Sequence, residues 1–364
     1  MQNRLLRLPL LLSALLALLF GLWAGLLRMG WDWPMIRPAL PMSHGPLMVS
    51  AFFGTLIALE RAMALNKRWA YLGPLCSGVG GVLLVLNVKG VIGPLLLSLG
   101  GLVLALVCLW MWRHHPALHS AIIAAGAVGW LVGSLLWLVG SPVYQVVFWW
   151  SAFLVFTIAG ERLELSRVRH PALNRQRMFA VITGVIFLGL LWLRWDLIWG
   201  ERMVGLGYFS LAVWLWVHDL ARVTVRQHGL TRYIAVCLLC GFVWLGVGGL
   251  LSLFYAGYSA GPIYDARLHA IFVGFVISMV FGHAPIIFPA VLGSPTKLGL
   301  PIAHRSYFYL PLVMLHLSLM MRLAGDFGGR VLVRQWGGLL NALAILLFLA
   351  MILPNIIYSK GNVN

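Results

Sequence analysis

Long apolar runs alternate with short polar loops along the whole chain. Since about 20 apolar residues cross the hydrocarbon core of a bilayer as an α-helix, runs of that length predict twelve spans. The predicted spans are 5–27, 44–65, 71–88, 91–112, 119–140, 143–162, 178–195, 203–220, 233–256, 266–291, 307–323 and 336–357. The pattern therefore predicts an all-α, polytopic membrane protein that forms one integral membrane domain over residues 1–364, with no soluble domain.

The composition indicates that lipid is the solvent. Apolar residues make up 62% of the chain and charged residues 10%, whereas a soluble domain carries about 45–50% apolar and about 25% charged residues. A net charge of +17 would also suit a nucleic-acid-binding protein. However, the basic residues lie in short loops and not on one polar face, which excludes nucleic acid as a partner. The predicted partners are membrane lipid, and either other membrane subunits or an electron-transfer partner.

The distribution of lysine and arginine predicts the orientation. With the N-terminus inside, most basic residues fall in inner segments, which favours cytoplasmic termini and an even number of spans. Tryptophan-rich stretches near Trp31 and Trp192 suit the outer interface, where amphipathic rings concentrate. The predicted location is the cell membrane, as a multi-pass protein of the bacterial inner membrane.

Two histidines are the main candidates for a cofactor site. His44 and His269 stand at the starts of the second and tenth predicted spans, which both run inward from the outer face. A histidine at the edge of an apolar helix is costly unless it bonds to something. A pair at one depth is suited to hold a haem iron, while hydrogen bonds to backbone or interfacial water are the alternative. Asp265, one turn before His269, is a potential acceptor for that imidazole or a partner of Arg267.

Two further histidines lie at other depths in the predicted membrane. His283 follows His269 by 14 positions in the sequence, or about 21 Å along a helix at 1.5 Å per residue, so the two cannot share a ligand. His316 lies in the middle of the eleventh span and is a candidate for contact with a haem. Its alternative role is structural, with hydrogen bonds to Tyr309, Ser318 or Asn341.

Ionisable residues recur at the inner ends of the second, sixth and tenth spans. These are Glu60 with Arg61, Glu161 with Arg162, and His283. The recurrence leaves open a threefold repeat of four helices. Glu60, Glu161 and His283 would then form an inner polar cluster, as a proton path or a metal site. The alternative is that each glutamate pairs with a nearby arginine and closes a helix end.

The position of the two outer histidines resembles that in the catalytic subunit of haem-copper oxidases. In that twelve-helix family, helices two and ten supply both axial ligands of the low-spin haem, which implies this role for His44 and His269. The family's copper site uses histidines on helices six and seven, and this chain has none inside either. The resemblance therefore implies a haem site without an oxygen-reducing centre.

The chain also resembles the NnrS family of twelve-helix proteins. HAIFVG at 269–274, followed by Gly282 and His283, is similar to that family's His-Ala-Leu…Gly…Gly-His pattern. SHGPLM at 43–48 is similar to its histidine-led second helix, which usually carries more than one histidine. The resemblance implies haem b, with copper as a second metal, and a role in the nitric oxide response or electron transfer. A transporter, a channel or a structural membrane subunit is the alternative, and whether the protein is an enzyme stays open.

Overall fold

The computed structural model describes residues 2–36, 38–88, 90–166, 173–292 and 306–358. Within these ranges the regular elements are helices and there is no strand, which confirms the all-α prediction. The α-helices are α1 (Gln2–Arg28), α2 (Gly54–Leu65), α3 (Leu72–Val85), α4 (Ile92–His114), α5 (Leu118–Leu138), α6 (Val143–Ser166), α7 (Leu173–Trp192), α8 (Leu197–His218), α9 (Ala221–Thr224), α10 (Gly229–Phe254), α11 (Gly261–His269), α12 (Ser278–Leu292), α13 (Tyr309–Phe327) and α14 (Val331–Tyr358).

Ten of the described helical segments are long and apolar enough to cross a membrane. The predicted spans at 71–88 and 203–220 are helical as well, in α3 and α8. They fall outside the ten: α3 has only 14 residues, and α8, with 22 residues, carries Glu201 and Arg202 near its start, which lower its mean hydropathy. The structure thus bears out the helical pattern and gives ten clear candidates for spans.

The chain divides into two compact units, Met1–Glu161 and Arg162–Asn364. We call them unit 1 and unit 2 and describe each by itself. His44, Glu60 and Glu161 belong to unit 1, whereas His269, His283 and His316 belong to unit 2.

Each unit contains a π-helix of eight residues. The first, π1 (Pro46–Phe53), starts two residues after His44 and continues into α2. The second, π2 (Ala270–Ile277), starts directly after His269 and continues into α12. The π-helix is rare in proteins and is frequent at functional sites. In the part of the chain that the structure describes, the two candidate histidines therefore share a local construction that the sequence pattern did not predict.

Aromatic side chains pack on glycines beside both π-helices. In unit 1 the indole of Trp130 lies against Gly54, and its Nε1 donates to Ser50 of π1 at 3.1 Å. In unit 2 the ring of Trp244 lies against Gly274 of π2. A β-carbon on either glycine would meet the indole, so the missing side chains let these helices approach closely.

Backbone-to-backbone packing at glycines joins α8 and α10 in unit 2. A β-carbon on Gly249 would stand 2.5 Å from the backbone nitrogen of Phe209 and 2.8 Å from the carbonyl oxygen of Gly205. Backbone atoms cannot rotate away as a flexible side chain can, so this contact requires glycine. Gly184 of α7, in contrast, has nothing within 4 Å of its would-be β-carbon.

We expect Gly249→Ala to lower the free energy of unfolding by about 1–3 kcal/mol, the usual cost of overpacking a tight core. Thermal unfolding of the purified protein in detergent measures the effect. Gly184→Ala is the matched control, and it should be neutral or stabilising because alanine favours a helix over glycine by about 1 kcal/mol. Equal stability of the two variants would contradict this account of the α8–α10 contact.

Candidate functional site

His44 is fixed against α1 by one hydrogen bond and one glycine. Its Nδ1 lies 2.7 Å from the carbonyl oxygen of Gly21. A carbonyl only accepts, so Nδ1 carries the proton and, in the neutral ring, Nε2 holds the lone pair. A β-carbon on Gly25 would stand 2.9 Å from Cε1 of the imidazole, so glycine at this position admits the ring. This tautomer is the one that metal-ligating histidines adopt when a carbonyl orients them.

His269 makes a similar contact through its first nitrogen. Its Nδ1 lies 2.9 Å from the carbonyl oxygen of Asp265 and 3.3 Å from the Oδ1 of the same residue. The predicted contact between His269 and Asp265 is therefore present, through both backbone and side chain. On the other side of the ring, Nε2 faces Nη2 of Arg322 at 3.3 Å. His269 is thus part of a charged cluster.

The charged cluster around His269 joins α11, α13 and α14. Arg322 binds Asp265 with both nitrogens of its fork, from Nε to Oδ2 at 2.7 Å and from Nη2 to Oδ1 at 2.8 Å. Asp326 lies one turn further along α13, and Nε of Arg334 is 3.9 Å from its Oδ1. We call Asp265, His269, Arg322, Asp326 and Arg334 the Asp265 cluster. The cluster thus combines two acidic and two basic side chains with one imidazole.

Asp326 is the buried acid of this cluster. Its side chain is 0% exposed, and neither carboxyl oxygen accepts a hydrogen bond from a donor in the described residues. Asp265 is its acidic neighbour in the cluster, and the Asp265 side chain is 23% exposed. Two ionised carboxylates cannot hydrogen-bond to each other, but one shared proton makes a donor of either. The pair is therefore suited to share one proton as a carboxyl–carboxylate dyad.

A second ion pair beside this cluster is fully buried. Arg267 and Glu201 have side chains 0% and 1% exposed, and Nη1 of the arginine lies 2.6 Å from Oε2 of the glutamate. The backbone nitrogen of Gly257 donates to the same carboxylate at 2.7 Å. Arg267 also donates to the carbonyl oxygens of Tyr255 and Tyr258. Because Arg267 is committed to Glu201, the suggested pairing of Asp265 with Arg267 is replaced by that with Arg322.

His316 lies between two hydrogen-bonding side chains. Nε1 of Trp244 donates to its Nδ1 at 3.0 Å, and its Nε2 is 3.2 Å from the hydroxyl of Ser278. Indole N–H is a donor only, so the neutral imidazole carries its proton on Nε2 and donates it to Ser278. These partners differ from the suggested ones, because Ser318 and Asn341 bond to each other. His316 thus links π2 and the start of α12 to α10 and α13.

The inner polar residues form ion pairs between distant parts of each unit. In unit 1, Arg61 pairs with Glu161, which lies 100 positions away in the sequence. In unit 2, Arg162 binds Asp219 through two contacts of 2.8 Å. The arginine pairing of Glu161, which the sequence left open as the alternative to an inner polar cluster, is present. His283 is in unit 2, where its Nδ1 lies 2.7 Å from the carbonyl oxygen of Met279.

Dedicated metal ligands are not clustered in the described residues. No group of three or more His, Cys, Asp or Glu side chains there has the arrangement needed to hold a metal ion. Cys237 and Cys240 are free thiols inside α10, with Cys237 buried. The histidines that remain suited to a metal are those whose Nδ1 is held by a carbonyl.

Sequence patterns missed most of the Asp265 cluster. Arg322 and Asp326 lie near the end of the eleventh predicted span, which was bounded at residue 323. The signal that would have found them is the presence of ionisable residues one turn apart on an otherwise apolar helix. Glu201 was missed for a similar reason, since it precedes the predicted start of its span at residue 203.

A family model described as Domain of unknown function (DUF8744) matches residues 7–356, so the chain belongs to that family. The match covers almost the whole chain, including the Asp265 cluster and His44. No curated protein matches the chain.

We expect Arg267→Met to lower the free energy of unfolding by about 3–5 kcal/mol, because it leaves the Glu201 charge buried without its partner. Thermal unfolding in detergent is the measurement, and Arg330→Met, at an exposed arginine, is the control with the same change in charge. The double variant Glu201→Gln, Arg267→Met should regain part of the loss, since it removes both charges. A loss no larger than that of the control would show that the pair does not stabilise unit 2.

Proposed function

We propose that this DUF8744 protein is a multi-pass membrane protein that binds haem b, and that His44 and His269 are the residues that would hold its iron. The observation that carries the proposal is the matching construction at these residues. Each imidazole has Nδ1 on a backbone carbonyl and each is followed within two residues by a π-helix. The proposed roles are electron transfer or a response to nitric oxide, chemistry that the haem iron would supply when bound.

Membrane insertion is supported by the ten long apolar helices. We extend the proposal to twelve spans, by adding α3 and α8. Large apolar side chains are exposed along these helices, among them Leu75 and Val79 of α3 and Leu206 and Val213 of α8. Lipid would cover these side chains, whereas in water they would form large apolar patches.

Haem ligation is supported by the tautomer that each histidine adopts. Iron binds a neutral imidazole nitrogen, and Nε2 is the nitrogen with the lone pair when Nδ1 donates to a carbonyl. At His44 the missing side chain of Gly25 makes room for the ring in this orientation. At His269, ligation requires Nε2 to exchange its contact with Arg322 for iron, while Arg322 keeps its paired bond to Asp265. Copper stays in the proposal only as a second metal, without an assigned ligand set.

We expect the protein purified from its native membranes to show a Soret band. His44→Ala and His269→Ala should each reduce haem per protein by at least about tenfold, because loss of a ligand's supporting partners already costs about 10–100-fold in metal affinity. The measurement is the absorption spectrum normalised to protein concentration. His228→Ala, at an exposed position, is the matched control and should keep the full band.

Gly25→Ala tests positioning without removing a ligand. The added methyl group would stand 2.9 Å from Cε1 of His44, so it should displace the ring and change the Soret band. Circular dichroism and gel filtration show whether each variant is folded. Absence of a Soret band in the wild-type protein, or a band unchanged in both histidine variants, would overturn the haem proposal.

A second candidate function, proton-coupled transport, is favoured by the carboxyl pair of the Asp265 cluster. Asp326 is buried and Asp265 is the more exposed partner. Buried ionisable groups of this kind mark proton paths in membrane transporters. In this alternative the proton shared by the two carboxyl groups is the transported or coupling ion, and His269 is its neighbour in place of a haem ligand.

Asp326→Asn tests the shared proton with a side chain of nearly the same shape. We expect the infrared band of a protonated carboxyl group to disappear, since the amide donates to Asp265 without a titratable proton. Proton uptake into proteoliposomes should fall on the order of tenfold or more if the dyad lies on the path. Asp32→Asn, at an exposed aspartate of unit 1, should alter neither signal. Persistence of the band in Asp326→Asn would contradict the dyad.

A further inference from the structure

A shallow depression lies at the turn between α8 and α10 in unit 2. Its volume is about 220 Å³, and it is lined by Val217, Asp219, Arg222, Val223 and Arg226. The short helix α9 forms one side of it. Neither the candidate haem ligands nor the Asp265 cluster belongs to this part of the unit.

The depression carries positive charge that the described residues do not neutralise. Arg222 and Arg226 are exposed, and the ion pairs of the described residues include neither of them. Nη1 of Arg222 donates to the carbonyl oxygen of Val217 at 3.0 Å, which holds the guanidinium over the depression. The two arginines therefore present donors to an anion from outside the protein.

The one acidic residue that lines the depression is already committed. Asp219 is 2% exposed, and it accepts both nitrogens of the Arg162 fork at 2.8 Å. The backbone nitrogen of Ala221 donates to it as well, at 2.7 Å. Asp219 thus stabilises the turn. Because Arg162 balances its charge, Asp219 does not neutralise Arg222 or Arg226.

Apolar side chains border the charged depression. Val217 and Val223 in its lining are exposed, as are Val213 and Trp216 on the preceding two turns of α8. An arginine pair next to an exposed apolar surface matches a ligand with an anionic head and apolar chains. A small hydrophilic anion would use the guanidiniums alone and leave this border uncovered.

We propose that this depression binds the headgroup phosphate of an anionic phospholipid, with Arg222 and Arg226 as its ligands. Guanidinium forks bind phosphate oxygens in pairs, and the acyl chains would lie against Val213, Trp216 and Val217. The inner leaflet, which carries the anionic lipids, is the side to which the basic loops assign this turn. The inference rests on the proposed membrane location of the protein and not on its haem.

The test is native mass spectrometry of the full-length protein in detergent, titrated with phosphatidylglycerol. The double variant Arg222→Gln, Arg226→Gln should bind this lipid about 30-fold more weakly, given the usual contribution of two basic residues at an anionic surface. Lys67→Gln with Arg68→Gln is the matched control, because it removes two exposed charges from a loop of unit 1. The control should bind as the wild type does.

Arg222→Lys with Arg226→Lys separates charge from fork geometry, and it should bind with intermediate affinity. Gel filtration confirms that each variant is folded.

Equal weakening in both glutamine double variants would overturn the site, and so would wild-type binding by the Arg222→Gln, Arg226→Gln variant. Two other results would overturn the lipid as ligand: phosphatidylcholine binding equally well, or inorganic phosphate displacing the lipid at equal concentration. Recovery of the protein in the soluble fraction of cells would instead overturn the membrane location itself.

Discussion

The pairing of buried charge is the constraint on which the rest of this structure depends. In an apolar helical protein an unpaired ion inside the bundle costs several kcal/mol, so each charge needs a partner close at hand. Glu201 and Arg267 satisfy this with side chains that are almost completely buried. Such a pair fixes helices relative to each other, because the ends of α8 and α11 must stay where their charges meet. Burying these paired charges therefore costs free energy, but it also fixes which helices of unit 2 pack against each other.

The same constraint shapes the candidate site. His269 lies between Asp265 and Arg322, so its second nitrogen faces a guanidinium, whereas His44 rests on a carbonyl and a glycine. The two residues resemble each other in tautomer and in the π-helix that follows, but differ in electrostatic surroundings. A ligand at His269 would lie beside the charges of the Asp265 cluster. The difference bears directly on the choice between haem binding and proton chemistry.

Sequence patterns predicted part of the candidate site. The starts of the apolar runs located His44 and His269, and the one-turn spacing located Asp265 as a neighbour of His269. The partners of these residues could not be predicted in the same way, because Arg322 and Asp326 belong to another helix. Arg322 is more than 50 positions away from Asp265 in the sequence. For His316, Trp244 and Ser278 replaced the suggested partners, since a side chain selects its partner by direction and distance and not by proximity in sequence.

By itself, the sequence determined the helical class, the approximate limits of the long helices and the predominance of apolar surface, because these follow from the composition and length of local runs. Tertiary structure alone decided which charges meet, as when Arg61 pairs with Glu161, which lies 100 positions away in the sequence. It also decided the two π-helices, whose residues read as ordinary apolar helix. The physical reason is that hydrophobicity acts residue by residue, whereas ion pairs and helix register depend on what the neighbouring helices present.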